Sequence, residues 1–264
     1  MPAIQMTRLR IQVARLLEHF NQPENFARAL GELLDFYSDR ARRPGRMATL
    51  QPIQKQYRVH PAVLKQITDD LVPVCRVQPE AAEALADRLW RDDHFEPRLL
   101  AAGILALLPE NETDVISQRL LAWAKAGEDR ILIDALLKKA SSQLMQTKPK
   151  VFRKIISTWL KDASIQQQSI GLRALTLYIL LIPPDLFPDV FHLITPLPVK
   201  PTSYLLNDLE ALIAALYEHS PGETLFYIEQ LAAKRQTPDL QRLLRGCVNI
   251  VNDADWETLR ALIS

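Results

Sequence analysis

Apolar residues recur along this chain every three or four positions, in runs of ten to eighteen residues separated by short polar breaks. That spacing is the signature of helices with one buried face. It predicts about a dozen helical segments, beginning with 8–20, 26–37 and 61–71. From there the segments fall into pairs: 79–90 with 96–108, 113–125 with 128–144, 149–160 with 165–182, 184–195 with 204–219, and 222–234 with 238–251. Successive pairs start about 35 to 40 residues apart, the period of a two-helix repeat. Each has a polar or proline-containing start, a helix with one apolar face, a break, and then a more uniformly apolar helix. The segment Glu96 to Leu108, EPRLLAAGILALL, has almost no polar face, as expected of a helix covered on several sides. An irregular bundle would permit the same periodicities. The regular pairing and short breaks favour an all-α fold, an α-α superhelix (solenoid) of HEAT-like helix pairs, with residues 1–264 forming one helical-repeat domain. Ile104, Leu105, Leu136 and Leu175 are expected between neighbouring pairs.

Two segments break the rhythm. Residues 40–54, RARRPGRMATLQPIQ, form a basic and weakly apolar connection, and residues 183–201 carry six prolines around a short helix.

Composition supports helices. The chain has only 7 glycines in 264 residues, too few for a sheet protein built on tight hairpins, and its 18 prolines fall mostly between apolar runs. Cys75 and Cys247 are too few for a disulfide framework and lie in apolar surroundings, which fits a reducing, cytoplasmic setting. The N-terminus has no apolar signal core, and no run of 18 apolar residues occurs, so neither secretion nor membrane association is expected.

Metalloprotease, zinc-finger, P-loop, dinucleotide-fold and nucleophile-elbow motifs are absent, and the five histidines are isolated from one another. No metal and no cofactor is expected. Charge is more informative. The formal net charge is +1, yet residues 40–65 hold seven Lys or Arg and no carboxylate, and residues 138–161 repeat that count. Residues 201–233 hold five carboxylates and no Lys or Arg. Each basic tract could be a solvated face; brought together on one concave surface, they would attract phosphates. Candidate nucleic-acid contacts are Arg40, Arg42, Arg43, Arg46, Arg58, Arg130, Lys138, Lys139, Lys148, Lys150 and Arg173. Arg130, Asp134 and Lys138 share one helical stripe, and Gln166, Ser169 and Arg173 share another; each could line a groove or make a solvated ion-pair ladder.

The stretch QYRVHPAVLKQITDDL at 56–71, followed by LADRLWRDDHFEPRLLAAGILALL at 85–108, resembles the N-terminal half of the AlkD-like DNA alkylation repair proteins, which are HEAT-like-repeat DNA glycosylases. Val59, Pro61, Leu89, Trp90, Phe95, Glu96, Ala101 and Ala102 carry the likeness, which covers roughly residues 20 to 220 in helix order and is closest in letters over 57–137. The resemblance implies an aromatic pair and a catalytic Asp near the start of the 128–144 helix, an Arg on the second helix of the next pair, and a later aromatic. In this chain those positions hold Gly127-Glu128, Leu132, Ser169 and Ala211 or Leu212. Asp134 and Arg173 are the nearest substitutes for the catalytic Asp and Arg. The expectation is a non-catalytic or divergent relative that binds duplex DNA or another nucleic acid in a basic concave groove. The alternatives are a scaffold for a protein partner and, third, a working glycosylase acting on alkylated bases.

Overall fold

The computed structural model describes residues 5–38, 54–182, 186–194, 203–233, 237–253, 255–257 and 259. All regular secondary structure among the described residues is helical. The α-helices are α1 (Met6–Leu17), α2 (Pro23–Phe36), α3 (Pro61–Val77), α4 (Pro79–Trp90), α5 (Phe95–Leu105), α6 (Thr113–Trp123), α7 (Arg130–Thr147), α8 (Pro149–Leu160), α9 (Ile165–Ile179), α10 (Phe187–Ile194), α11 (Leu206–His219), α12 (Pro221–Ala232) and α13 (Pro238–Gly246). The chain divides into two compact units, residues 1–124 with 128–148, and residues 125–127 with 149–264.

Local signals explain most boundaries. Proline occupies the first turn of α2, α3, α4, α12 and α13, where its missing N–H costs nothing. The Asp129 carboxylate caps α7 by accepting from the N–H groups of Ile131 at 2.8 Å and Leu132 at 3.2 Å. Ser164 and Thr237 cap α9 and α13 in the same way. The helix predicted over 61–71 in fact runs on to Val77, through Pro73. Pro73 sits on the exposed side, while Ile67, Leu71 and Cys75 continue one fully buried ladder at four-residue spacing. Burying the ladder's last rung offsets the hydrogen bond that the proline forgoes.

In the first unit α1, α3, α5 and α7 pack in succession, and α2 packs on α4 beside them. The α1–α3–α5–α7 row holds the core: Ile104, Leu105 and Leu136 are buried there, as the periodicity predicts. The outer helices are joined by ion pairs. Arg88 reaches Glu24 at 2.7 Å, linking α4 to α2. The Arg119 guanidinium grips both oxygens of Asp87, at 3.1 and 2.7 Å, and also pairs with Glu83, linking α6 to α4. The hydrogen bond to Asp87 contributes most to holding the Arg119 pKa above its usual value.

In the second unit α9, α11 and α13 form the corresponding row, with Leu175 fully buried. Helices α8 and α9 approach so closely that a methyl group on Gly171 would lie 2.8 Å from a Leu160 methyl and 3.1 Å from the Leu160 backbone nitrogen. Only glycine fits at that crossing.

Candidate nucleic-acid interface

Helix α8 is divided sharply between an apolar and a basic side. Phe152, Ile155, Ile156, Trp159 and Leu160 are buried on one side. At about 100° per residue, Lys150, Arg153, Lys154 and Ser157 fall within an arc of roughly 100° on the other side, and Lys161, just past the helix end, continues it. These five residues, with Leu160 and with Asp189, His192 and Leu193 of α10, line a cleft of about 460 Å³. Four cations face one carboxylate there, and Arg153 is already paired with that carboxylate, Asp189. Lys150, Lys154 and Lys161 are exposed. The arrangement suits a polyanion, because the cationic charge left over within one cleft is offset by binding phosphate.

Of the residues expected at the interface, Lys150 is in this cleft; Arg153, Lys154 and Lys161 belong with it and were legible only as part of the basic tract, at spacings of three, four and eleven from Lys150, while Asp189 and His192 were not singled out by the sequence. Arg40, Arg42, Arg43 and Arg46 lie outside the described residues.

The remaining candidates of the first unit take different roles. Arg130, Asp134 and Lys138 form an exposed stripe along α7. Lys139, next in sequence, turns inward: its Nζ lies over Gly103 of α5, 3.8 Å from where a methyl group on that glycine would sit. Burial lowers the pKa of this amine. Lys148 pairs with Asp114 at 3.1 Å, tying the end of α7 to the start of α6. In the second unit Arg173 is half-buried on α9.

Arg58 has the one unusual backbone among these residues. Its φ is +56°, the left-handed region that side chains other than glycine rarely adopt. The buried Glu96 carboxylate holds it there, accepting from the N–H of Arg58 at 2.7 Å and of Tyr57 at 3.1 Å. Tyr57 in turn stacks on His94, with ring centroids 4.3 Å apart. Burial first, then the carboxylates of Asp92, Asp35 and Glu96, raise the Tyr57 hydroxyl's pKa.

Close by in sequence, Trp90 and Trp123 lie flat against each other, 4.5 Å apart and 6° from parallel. The Arg98 guanidinium sits 4.4 Å over Trp90 and pairs with Glu128 at 2.6 Å. Its Nε is buried without a hydrogen-bond partner among the described residues.

The sequence pattern of the DNA alkylation repair enzyme family matches residues 32–198, well over half of the chain. The chain belongs to that family. No curated protein and no solved structure matches it. Trp90 and Glu96, two of the residues that carried the resemblance, now have physical roles, one in the tryptophan stack and the other under the Arg58 loop.

The positions at which the resemblance to the AlkD-like members expects catalytic groups are occupied otherwise. Gly127 has φ +92° in the break before α7, and Glu128 is engaged with Arg98. Leu132 is fully buried. Asp134, two residues on, is exposed and points about 200° away from Leu132 around the helix. Ser169 is buried and donates a hydrogen bond to the buried carboxylate of Asp208. Ala211 is exposed, and Leu212 is fully buried. Among the described residues no group of three His, Cys, Asp or Glu side chains could hold a metal ion, and no helix is long and apolar enough to cross a membrane.

Proposed function

We propose that this member of the DNA alkylation repair enzyme family binds the sugar–phosphate backbone of duplex DNA and does not itself release alkylated bases. The observation that carries the binding half is the α8 cleft, where Lys150, Arg153, Lys154 and Lys161 converge against a single carboxylate. Contacts of this kind hold a duplex by charge and shape without reading its sequence. Binding is therefore weak, indifferent to sequence and steeply dependent on salt.

The second half rests on the chemistry of base release. A departing alkylated base leaves positive charge on the sugar, which a nearby carboxylate stabilises, while aromatic faces hold the cationic base. Buried Leu132 and outward-facing Asp134 supply no such carboxylate, and Gly127 and Glu128 supply no aromatic face.

The two halves are tested together by incubating the protein with methylated duplex at low salt, measuring binding and freed base on the same samples. Binding with base release at background is expected. Turnover that disappears in Asp134→Asn would contradict the non-catalytic reading. No DNA association, together with recovery of a defined protein partner, would replace it with a scaffold.

A further inference from the structure

One carboxylate, Asp189, lines the α8 cleft, and the fold fixes where it stands. Helix α10 is anchored by Phe187, Val190 and Ile194, which are buried at spacings of three and four. Phe187 stacks on His219 of α11 with ring centroids 6.2 Å apart, and Phe191 packs on Tyr227 of α12 at 5.6 Å. The Tyr227 hydroxyl donates to the Ile194 carbonyl at 3.5 Å. Asp189 and His192 project from the other side of α10 into the cleft on α8. There the Asp189 carboxylate accepts from the Arg153 guanidinium, and the two side chains remain 49% and 35% exposed. A pair this open to solvent contributes little to stability, so the placement of α10 rests on its apolar anchors. No ion pair among the described residues engages Lys150, Lys154 or Lys161. The cleft therefore holds two kinds of cation: three exposed amines, and a guanidinium whose anion position is already filled.

We propose that Asp189 is a built-in counter-anion that occupies the phosphate position of Arg153, so that the cleft grips duplex DNA through its lysines and below the strength its charge allows. A carboxylate and a phosphate present the same kind of oxygen acceptor to a guanidinium, and arginine takes either. A phosphate approaching Arg153 is repelled by the carboxylate and competes with a group that α10 keeps permanently at hand. The result is a restrained hold, which lets a protein that reads no sequence release and rebind along a duplex. The inference rests on the nucleic-acid reading above and concerns what limits that site.

The test combines thermal unfolding with duplex-DNA titration over a salt series for wild type, Asp189→Asn, Asp162→Asn and the double variant Arg153→Ala, Asp189→Asn. Asp189→Asn releases Arg153 to a phosphate. Affinity at low salt should rise about tenfold, and the slope of log K against log salt should steepen by about 0.9, the value for one added phosphate contact. Adding Arg153→Ala should return both to wild type. Asp162→Asn removes the same charge one residue beyond Lys161 but leaves Arg153 paired, so it should keep the wild-type slope. The melting temperature of Asp189→Asn should stay near that of the wild type, because the buried anchors of α10 are untouched. An unchanged slope in Asp189→Asn would overturn the inference and leave the α8 cleft standing. Equal steepening in Asp162→Asn would do the same, since net charge alone would then account for the effect. If neither wild type nor Asp189→Asn binds duplex at low salt, the cleft reading falls with it.

Discussion

Adjacent letters with the same charge can do opposite work, and Lys138 and Lys139 show it. One step of about 100° around α7 leaves Lys138 exposed and turns Lys139 toward α5, so a count of basic residues in the tract cannot separate a phosphate contact from a desolvated amine. The pKa of Lys139 lies below its usual value of 10.5 because burial disfavours the charged form. The folded chain thus holds this proton less tightly than the unfolded chain. The resulting penalty on folding is full below the folded-state pKa and is relieved as pH rises from there toward 10.5. Lys139→Met should therefore raise the melting temperature at neutral pH, with the gain over wild type narrowing as the pH approaches 10.5; a variant that melts lower at neutral pH would show that the amine has a stabilising contact. Arg98 presents the reverse case, a cation whose burial depends on a partner. Glu128→Gln should cost roughly 2–3 kcal/mol in denaturant titration, less than the ~3–5 kcal/mol of a fully buried pair because Glu128 retains some solvent exposure. The clamp of Glu96 on the Arg58 loop was not legible in the letters at all: its partners are 38 and 39 residues away, and nothing local marks an arginine for positive φ.

At the scale of elements, apolar spacing located α1 to α13 and missed the helical residues after 251, and its errors have identifiable causes. The predicted 61–71 helix stopped short because proline ordinarily ends a helix, whereas the buried Cys75 beyond it draws α3 onward. The predicted 96–108 and 165–182 segments overran because apolar residues continue past the last helical turn, at Leu107 and Leu108 and at Leu180 and Leu181. Leu105, fully buried in α5, should cost roughly 2–5 kcal/mol when replaced by Ala. A cost near zero would mean that α5 does not pack between α3 and α7. Gly171→Ala should cost about 1–3 kcal/mol by forcing α8 off α9, and no loss of stability would show that the crossing has slack. The two-sided character of α8 was readable from sequence as well, since its apolar and basic residues fall on opposite sides at helical period. What the letters did not supply was that α10, predicted over 184–195, lies beside α8, where its Asp189 and His192 complete the cleft.

For the whole molecule, membership of the DNA alkylation repair enzyme family follows from residues 32–198, while its letter-level resemblance to the AlkD-like members is densest over 57–137. The positions at which the resemblance expects catalytic groups hold Gly127, Glu128, Leu132 and Ser169, so the proposed function rests on charge instead of on a reacting group. The most direct measurement of that claim is the salt dependence of duplex binding for the wild type and for the triple substitution Lys150→Ala, Lys154→Ala, Lys161→Ala, all exposed positions whose loss leaves the core untouched. Each phosphate contact removed should lower the slope of log K against log salt by about 0.9, to a maximum near 2.7 for three, with affinity at low salt falling in step. An unchanged slope and affinity in the triple variant would contradict the α8 cleft as the site that holds nucleic acid.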